Sequence, residues 1–269
     1  LSKGAGVSLR NPLVIINGSY NDVRMGAEIS SYLKGYNDPR IASYFVKAKN
    51  NGIEGYYAVR TNIPTTDDYL DKAKSSSLNV QDGTPIYIMK ASEVYFLRAE
   101  GALRGWNMGG GTAQSYYEKG IATSFEENDL SASQAAAYAA NSTATPANFV
   151  DALHSEYDTP ATSTITIKWE TGATNFERNL ERIITQKYLA IYPDGQEAWS
   201  EYRRTGYPRI FPAVLTATDC DVDGDLRPTR IPYSNDEYIK NLANVKKAVQ
   251  LLHGADNGAT RLWWDKKVK

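Results

Sequence analysis

Apolar positions recur at helical spacing most cleanly between Phe176 and Ile191, where Phe176, Leu180, Ile183, Ile184, Tyr188 and Ile191 form one stripe. That pattern predicts a helix through NFERNLERIITQKYLAIY. Pro193-Asp194-Gly195 then reads as a turn, and a second helix follows from Gln196 to Arg204 with Ala198, Trp199 and Tyr202 on its inner side. Its end is well signalled: Arg203 and Arg204 fall in the last turn, Gly206 at the C-cap region and Pro208 just beyond. Both arginines complement the helix dipole there and need no ligand to explain them.

A second pair of helices is expected upstream. From Ala91 to Leu103, Val94, Leu97 and Gly101/Ala102 share a stripe that Tyr95, Ala99 and Ala102 widen. Small residues at Ala91, Ala99, Gly101 and Ala102 suit close approach by neighbouring helices. Gly109-Gly110-Gly111 stops this helix, because glycine is costly in a helix interior and favours turns. Thr112 then caps another, with Tyr116, Gly120/Ile121 and Phe125 inward. Two antiparallel helices on a short link are the unit of tetratricopeptide-like stacking. The expected fold class is therefore mainly α: tetratricopeptide-like helix pairs with long loops and a few short β-strands.

Elsewhere the pattern is weaker. Residues 1–20 are polar apart from Leu13 to Ile16, and Asn21 to Lys34 reads as a helix ended by Gly35. Tyr36-Asn-Asp-Pro-Arg forms a turn into a short helix at Ile41 to Phe45. Tyr44–Lys47 and Tyr56–Arg60 flank Asn50-Asn51-Gly52, so a hairpin with a loop of several residues is expected. Thr65-Thr66-Asp67-Asp68 looks like a helix start, and Ile86 to Met89 like a short strand. Ser131 to Ala140 reads as a small-residue helix, followed by a long Ser/Thr/Ala/Pro-rich connection from Asn141 to Thr171 with one strand at Thr164–Trp169. After Pro208 the chain is loop until Ser234, which caps a helix with Glu237 at the third position, and Asn244 to Leu252 reads as the last helix. Of the adjacent Trp263 and Trp264, at most one is expected to be exposed.

Composition narrows the function classes. A net charge of −1 over 269 residues argues against a nucleic-acid partner held by counterion release. The single cysteine, Cys220, excludes an internal disulfide framework and a cysteine-rich zinc site. No apolar run approaches the ~20 residues of a membrane-spanning helix. The chain begins at Leu1 rather than at an initiator methionine, so a longer precursor or a processed product is expected.

Several separated segments carry a resemblance. SEVYFLRAEGALRGW, YYEKGIATSF, IITQKYLAIYPDGQEAWSEYRRTGYP, RIPYSNDEYIKN and RLWWDK occur in the order found in SusD/RagB-like proteins, with Tyr36-Asn-Asp-Pro-Arg resembling a motif before them. The match is to the family's C-terminal portion: residues 1–89 as a loop-rich segment with short helices and a hairpin, and 90–269 as helix pairs with loops. The resemblance implies a non-catalytic, lipid-anchored protein exposed at the outer membrane of a Bacteroidetes-type bacterium. Members bind oligosaccharides or other nutrients for a SusC-like TonB-dependent transporter. It also implies a further partner, the family's N-terminal half, which would hold the lipid-modified cysteine.

That role demands particular chemistry. Sugars present flat C–H faces ringed by hydroxyls, so a site needs aromatic platforms beside amide, carboxylate or guanidinium groups. With 19 Tyr and 5 Trp, the chain has platforms to offer. The candidates are Tyr36, Tyr44, Tyr56 and Tyr57, with Asn37, Asn50, Asn51 and Arg60 near them in sequence. Trp106 at the helix-hairpin tip is another, beside the plainer role of covering the hairpin end. Asp219, Asp221 and Asp223 with Gly224 resemble the opening of an EF-hand loop, which makes calcium the candidate cofactor; the twelfth position is Arg230 rather than Glu, and the plainer reading is a solvated acidic turn.

Two other function classes are weighed. Glu170 with Glu177, or Glu197 with Glu201, could pair for glycoside hydrolysis, although the second pair lies one helical turn apart. Only His154 and His253 are present, and no nucleophile–histidine order or phosphate-binding loop accompanies them. A helix-repeat scaffold for protein partners is the remaining alternative.

Overall fold

The structure, a computed structural model, describes residues 11–21, 23–64, 66–71, 73–214 and 228–265. Its helices are α1 (Pro12–Ile15), α2 (Ala27–Gly35), α3 (Ile41–Tyr44), α4 (Asp67–Leu70), α5 (Ala91–Leu103), α6 (Ala113–Glu126), α7 (Ala132–Ala139), α8 (Phe176–Ala190), α9 (Gly195–Thr205), α10 (Asn235–Lys240) and α11 (Leu242–Gln250). A hairpin joins β1 (Ala48–Asn50) to β2 (Ile53–Gly55). The fold is mainly helical and tetratricopeptide-like: α5 packs on α6 and α8, and α6 on α7 and α8.

Local sequence explains the helix boundaries. Thr112 accepts the Ser115 amide at 3.1 Å while the Ser115 hydroxyl accepts the Thr112 amide at 2.8 Å, which satisfies two donors at the start of α6. Ser131 and Gln134 do the same for α7. Asp194 accepts the Glu197 amide at 3.0 Å, and Gly206 ends α9 at φ 77°, a conformation glycine adopts without a Cβ penalty.

The phase of α5 differs from the expected stripe. Its inner face carries Ser92, Phe96, Ala99 and Glu100, while Val94 and Leu97 are exposed. Apolar residues lie on both sides of this helix, so spacing alone did not choose the buried one. Glu100 can be inside because Arg104 at 2.9 Å and Arg204 at 2.5 Å neutralise it. Opposite α5, Gly120 admits the Phe96 ring: a Cβ there would stand 2.8 Å from Phe96 Cε1, and the ring is fully buried. Gly120→Ala is expected to cost about 1–3 kcal/mol by overpacking. Urea unfolding checks this, and an unchanged midpoint would mean that the ring can move aside.

Other expectations are corrected for identifiable reasons. The hairpin is tighter than read, with Asn50 paired to Ile53 across a two-residue turn. Asn51 at φ 48° and Gly52 at φ 81° supply the two left-handed residues such a turn requires. The helix expected from Asn21 begins only at Ala27, because Met25 donates to the Ser76 carbonyl and Gly26 bridges Val59. Thr164–Trp169 alternates in burial as a strand would, yet it pairs with none. Its carbonyls are taken by side chains: Tyr36 donates to Ile165 at 3.0 Å, Arg182 to Thr166 at 3.0 Å and Tyr117 to Ile167 at 2.6 Å. Ile86–Met89 is an irregular strap rather than a strand. Trp263 and Trp264 are both exposed.

Charge is buried where it is paired. Asp38 and Arg40 of the Tyr36–Arg40 turn are fully buried, with the two side chains 2.5 Å apart. At the start of α8, Arg178 binds Glu170 through both carboxylate oxygens at 2.8 and 2.9 Å, and Arg182 donates to it too. Those contacts, Arg178 foremost, hold the Glu170 carboxyl down at about 2. A depressed folded-state value means that this pairing contributes fully above the ordinary glutamate range and is lost as pH falls from about 4.5 towards 2. Wild type is therefore expected to lose more stability than Glu170→Gln across that window, by at most about 1 kcal/mol because the pair is partly solvated. Denaturation midpoints at pH 5 and pH 3 measure the difference; parallel losses would contradict it.

Candidate functional site

The tyrosines singled out in the sequence divide into core and rim. Tyr36 is 2% exposed and donates to the Ile165 carbonyl, so its ring offers no face to a ligand. Tyr44 is 6% exposed, and its hydroxyl donates to the Leu189 carbonyl at 2.8 Å. Burial pushes that phenol up to about 12. Tyr56 packs half-buried against the core, and Tyr57, also half-buried, donates to the Ile53 carbonyl at 3.0 Å. Trp106 stands free at 62% exposure beyond α5. The structure does not gather these five into one site. Asp219, Asp221 and Asp223 lie outside the described residues, and among those described no acidic, His or Cys cluster could hold a metal ion.

One of the five, Tyr44, floors a cleft that sequence spacing did not point to. The cleft encloses about 260 Å³ between the end of α3, the strap before α5 and the end of α6. Its floor is aromatic: Tyr44 and Tyr192 lie 4.9 Å apart by ring centroid. Tyr87, 52% exposed on the strap, forms a wall. Lys90 reaches between the rings, 5.2 Å from the centroid of Tyr87 and 5.7 Å from that of Tyr44.

Lys90 is the unusual group. It is 8% exposed, and its ammonium donates to the carbonyls of Ala190 and Tyr192, each at 3.0 Å. An ammonium has three donors, and the third has no partner among the described residues. Burial lowers the lysine pKa; Glu127 works the other way, and Arg40 adds to the lowering. Glu127 itself is held by Ser92, accepting from its amide at 3.0 Å and its hydroxyl at 2.6 Å. Acceptors complete the cleft. Asn79 and Asn128 commit amide N–H groups to the carbonyls of Ala42 at 3.1 Å and Ser124 at 2.7 Å. The Asp129 carboxylate is exposed on the same wall. Tyr87 and Lys90 also border a neighbouring cavity of about 310 Å³ against Asn11, Leu13 and Glu93, so an extended ligand can pass over them.

A second depression of about 300 Å³ lies between α2, α8 and α9, walled by Tyr188, Trp199, Tyr202, Pro208 and Ile210. Trp199 and Tyr202 thus line a groove, where helical spacing had placed them against the core. The Arg203 guanidinium stacks 3.9 Å above the Trp199 ring, and Arg204 binds Glu100 through both nitrogens. The carboxylate pairs considered for hydrolysis are engaged elsewhere. Lys187 donates to Glu197 at 2.6 Å and Glu201 at 2.7 Å, and Glu177 accepts from the Tyr207 hydroxyl at 3.2 Å.

Residues 2–265 match the family model for SusD-like proteins, described as Susd and RagB outer membrane lipoproteins. The chain belongs to the SusD-like family. Its fold is close to solved members. A SusD homologue from Bacteroides thetaiotaomicron is 42% identical with a TM-score of 0.90, covering 98% of this chain and 56% of its own. A chitin-binding SusD homologue from Flavobacterium johnsoniae is 42% identical with a TM-score of 0.87, covering 98% of this chain and 54% of its own. A homologue from Bacteroides ovatus is 37% identical with a TM-score of 0.88, covering 97% and 55%. The chain therefore spans just over half the length of these SusD-like structures. No curated protein matches it.

Proposed function

We propose that this SusD-like chain binds glycans without catalysis and does so in the cleft around Tyr87 and Lys90. The observation that carries the reading is Lys90, a buried ammonium with two donors on backbone carbonyls and a third left over, beside an exposed tyrosine ring. A sugar hydroxyl both donates and accepts. It can accept a hydrogen bond from the Lys90 ammonium while donating one to Asp129 or to the amide oxygens of Asn79 and Asn128. Tyr87 supplies the flat face on which a pyranose C–H surface packs. Lys90 is the cation here, whereas Asp129 and Glu127 are both acidic, an excess of carboxylate that disfavours an anionic ligand. Family membership and the chitin-binding relative support a glycan over other nutrients.

The family description supports a lipid-anchored location at the outer membrane, and with it delivery of the ligand to a SusC-like TonB-dependent transporter. The outward face of α5, with Val94 and Leu97 exposed, supports a further layer of polypeptide there, such as the portion of the relatives that this chain does not span. Calorimetry against a panel of neutral oligosaccharides tests the binding reading. Saturable binding by at least one is expected; heat from none, or release of shorter sugars on incubation, would contradict it.

A further inference from the structure

Among the described residues two lysines are buried, Lys90 and Lys187, and they are held in opposite ways. Lys187 lies among carboxylates, with Glu197 at 2.6 Å, Glu201 at 2.7 Å and Glu93 at 3.3 Å. Burial works against its charge, yet Glu201 and Glu197 raise its pKa, so it stays an ammonium. The Lys90 nitrogen meets, among the described residues, only the carbonyls of Ala190 and Tyr192 and the faces of Tyr87 and Tyr44. A neutral amine has two N–H bonds and one lone pair. The two carbonyls, each at 3.0 Å, take both N–H bonds. Loss of the third proton therefore breaks no contact, and it leaves a lone pair on a group that lines both cavities of the site.

The surrounding charges bear on which form is present. Burial is the first cause of the lowered Lys90 pKa; Glu127 opposes it and Arg40 adds to it. The other titratable groups lining the two cavities are Tyr44, Asp129 and Tyr192 on one side, Glu93 and Asp194 on the other, and Tyr87 on both. Of these carboxylates, Glu93 faces Lys187 and Asp194 caps α9, while Glu127 is held by Ser92. The Tyr87 and Tyr44 faces favour the ammonium, against the burial that dominates. A lysine amine desolvated among apolar and aromatic groups is the form that adds to carbonyl carbons. We infer that Lys90 is a covalent modification site, whose amine condenses in this cleft with the aldehyde of an open-chain aldose. The nitrogen lone pair forms a bond to the aldehyde carbon as the C=O π pair moves to oxygen. A proton passes from nitrogen to that oxygen, and loss of one water leaves the imine. No oxidant or reductant takes part. The ammonium that holds a sugar hydroxyl and the amine that attacks a carbonyl are the two protonation states of one group.

Reductive alkylation of the wild-type chain with D-glyceraldehyde and cyanoborohydride, read by peptide mass spectrometry, tests this. Glyceraldehyde is a small aldose that cannot close a sugar ring. Cyanoborohydride delivers hydride to the imine carbon and fixes the adduct as a secondary amine. At pH 7 Lys90 is expected to be modified about fivefold faster than the exposed Lys246, with Lys187 unmodified. The ratio should fall as pH rises towards about 10, where an ordinary lysine also loses its proton. Glu127→Gln, which removes the opposing charge, should raise the Lys90 rate. A Lys90 rate at or below that of Lys246 at pH 7 would overturn the proposal. So would a ratio that does not change with pH, the mark of access without activation. The probe needs no glycan recognition, so calorimetric silence towards oligosaccharides would remove the glycan reading and leave this one standing.

Discussion

Replacing Arg40 by methionine is expected to destabilise the chain by roughly 3–5 kcal/mol, the largest single-residue effect in the fold. The guanidinium is fully buried and does several jobs at once. It pairs with Asp38 at 2.5 Å, donates to Ser124 at 2.9 Å and Gln186 at 3.1 Å, and sits over the rings of Phe125 at 5.1 Å and Tyr138 at 5.4 Å. It therefore joins the loop after α2 to α6, α7 and α8. Removing it leaves Asp38, also 0% exposed at the side chain, as an uncompensated charge in the core. A loss of that size is a large share of the 5–15 kcal/mol by which most domains are stable. Removing Asp38 as well, by Asp38→Leu in the same chain, should recover much of it, because two apolar side chains can replace a buried pair. Urea unfolding of the two variants measures both effects. A loss under about 1 kcal/mol for Arg40→Met would mean that water reaches the pair.

The second large effect is functional. Tyr87→Ala should weaken glycan binding about tenfold or more while leaving stability within about 0.5 kcal/mol. The two halves of that expectation have separate causes. Tyr87 is half-exposed on an irregular strap, and its ring contact is the Lys90 ammonium rather than the core. Its removal opens no cavity. Aromatic platforms nevertheless carry much of the affinity where a ligand packs flat against them, and here the ring borders both cavities. Tyr87→Phe should keep most of the affinity, since the face rather than the hydroxyl does the packing. Affinity from calorimetry and the urea midpoint, taken on the same preparations, separate this from a folding defect.

The helix pairs were legible because their signals are local. Capping residues Thr112 and Ser131, the Asp194 turn and Gly206 each act on neighbours within a few positions, and they define α6, α7 and α9 as read. The stripe read in α8 did not set a buried face, because from Asn179 to Ala190 every position but Tyr188 is buried, with Glu181, Arg182 and Lys187 inside as well. In α5 both faces are apolar, and the buried one is chosen by Arg104 and Arg204 reaching Glu100, the latter from far along the chain. The site was the least legible part. Tyr36 and Tyr44 look like ligand platforms in a tyrosine-rich sequence, yet their hydroxyls hold backbone carbonyls more than a hundred residues away. Tyr87 sat within a short apolar run that reads as a strand. Lys90 had no motif at all, and its role depends on the Ala190 and Tyr192 carbonyls exposed where α8 ends.

Determining the structure of the chain with a bound oligosaccharide tests the central claim most directly. The account predicts a sugar ring packed on Tyr87 with a hydroxyl oxygen within about 3 Å of the Lys90 ammonium nitrogen. A sugar seated on Trp106 or Trp263, with the Tyr87 cleft empty, would contradict it.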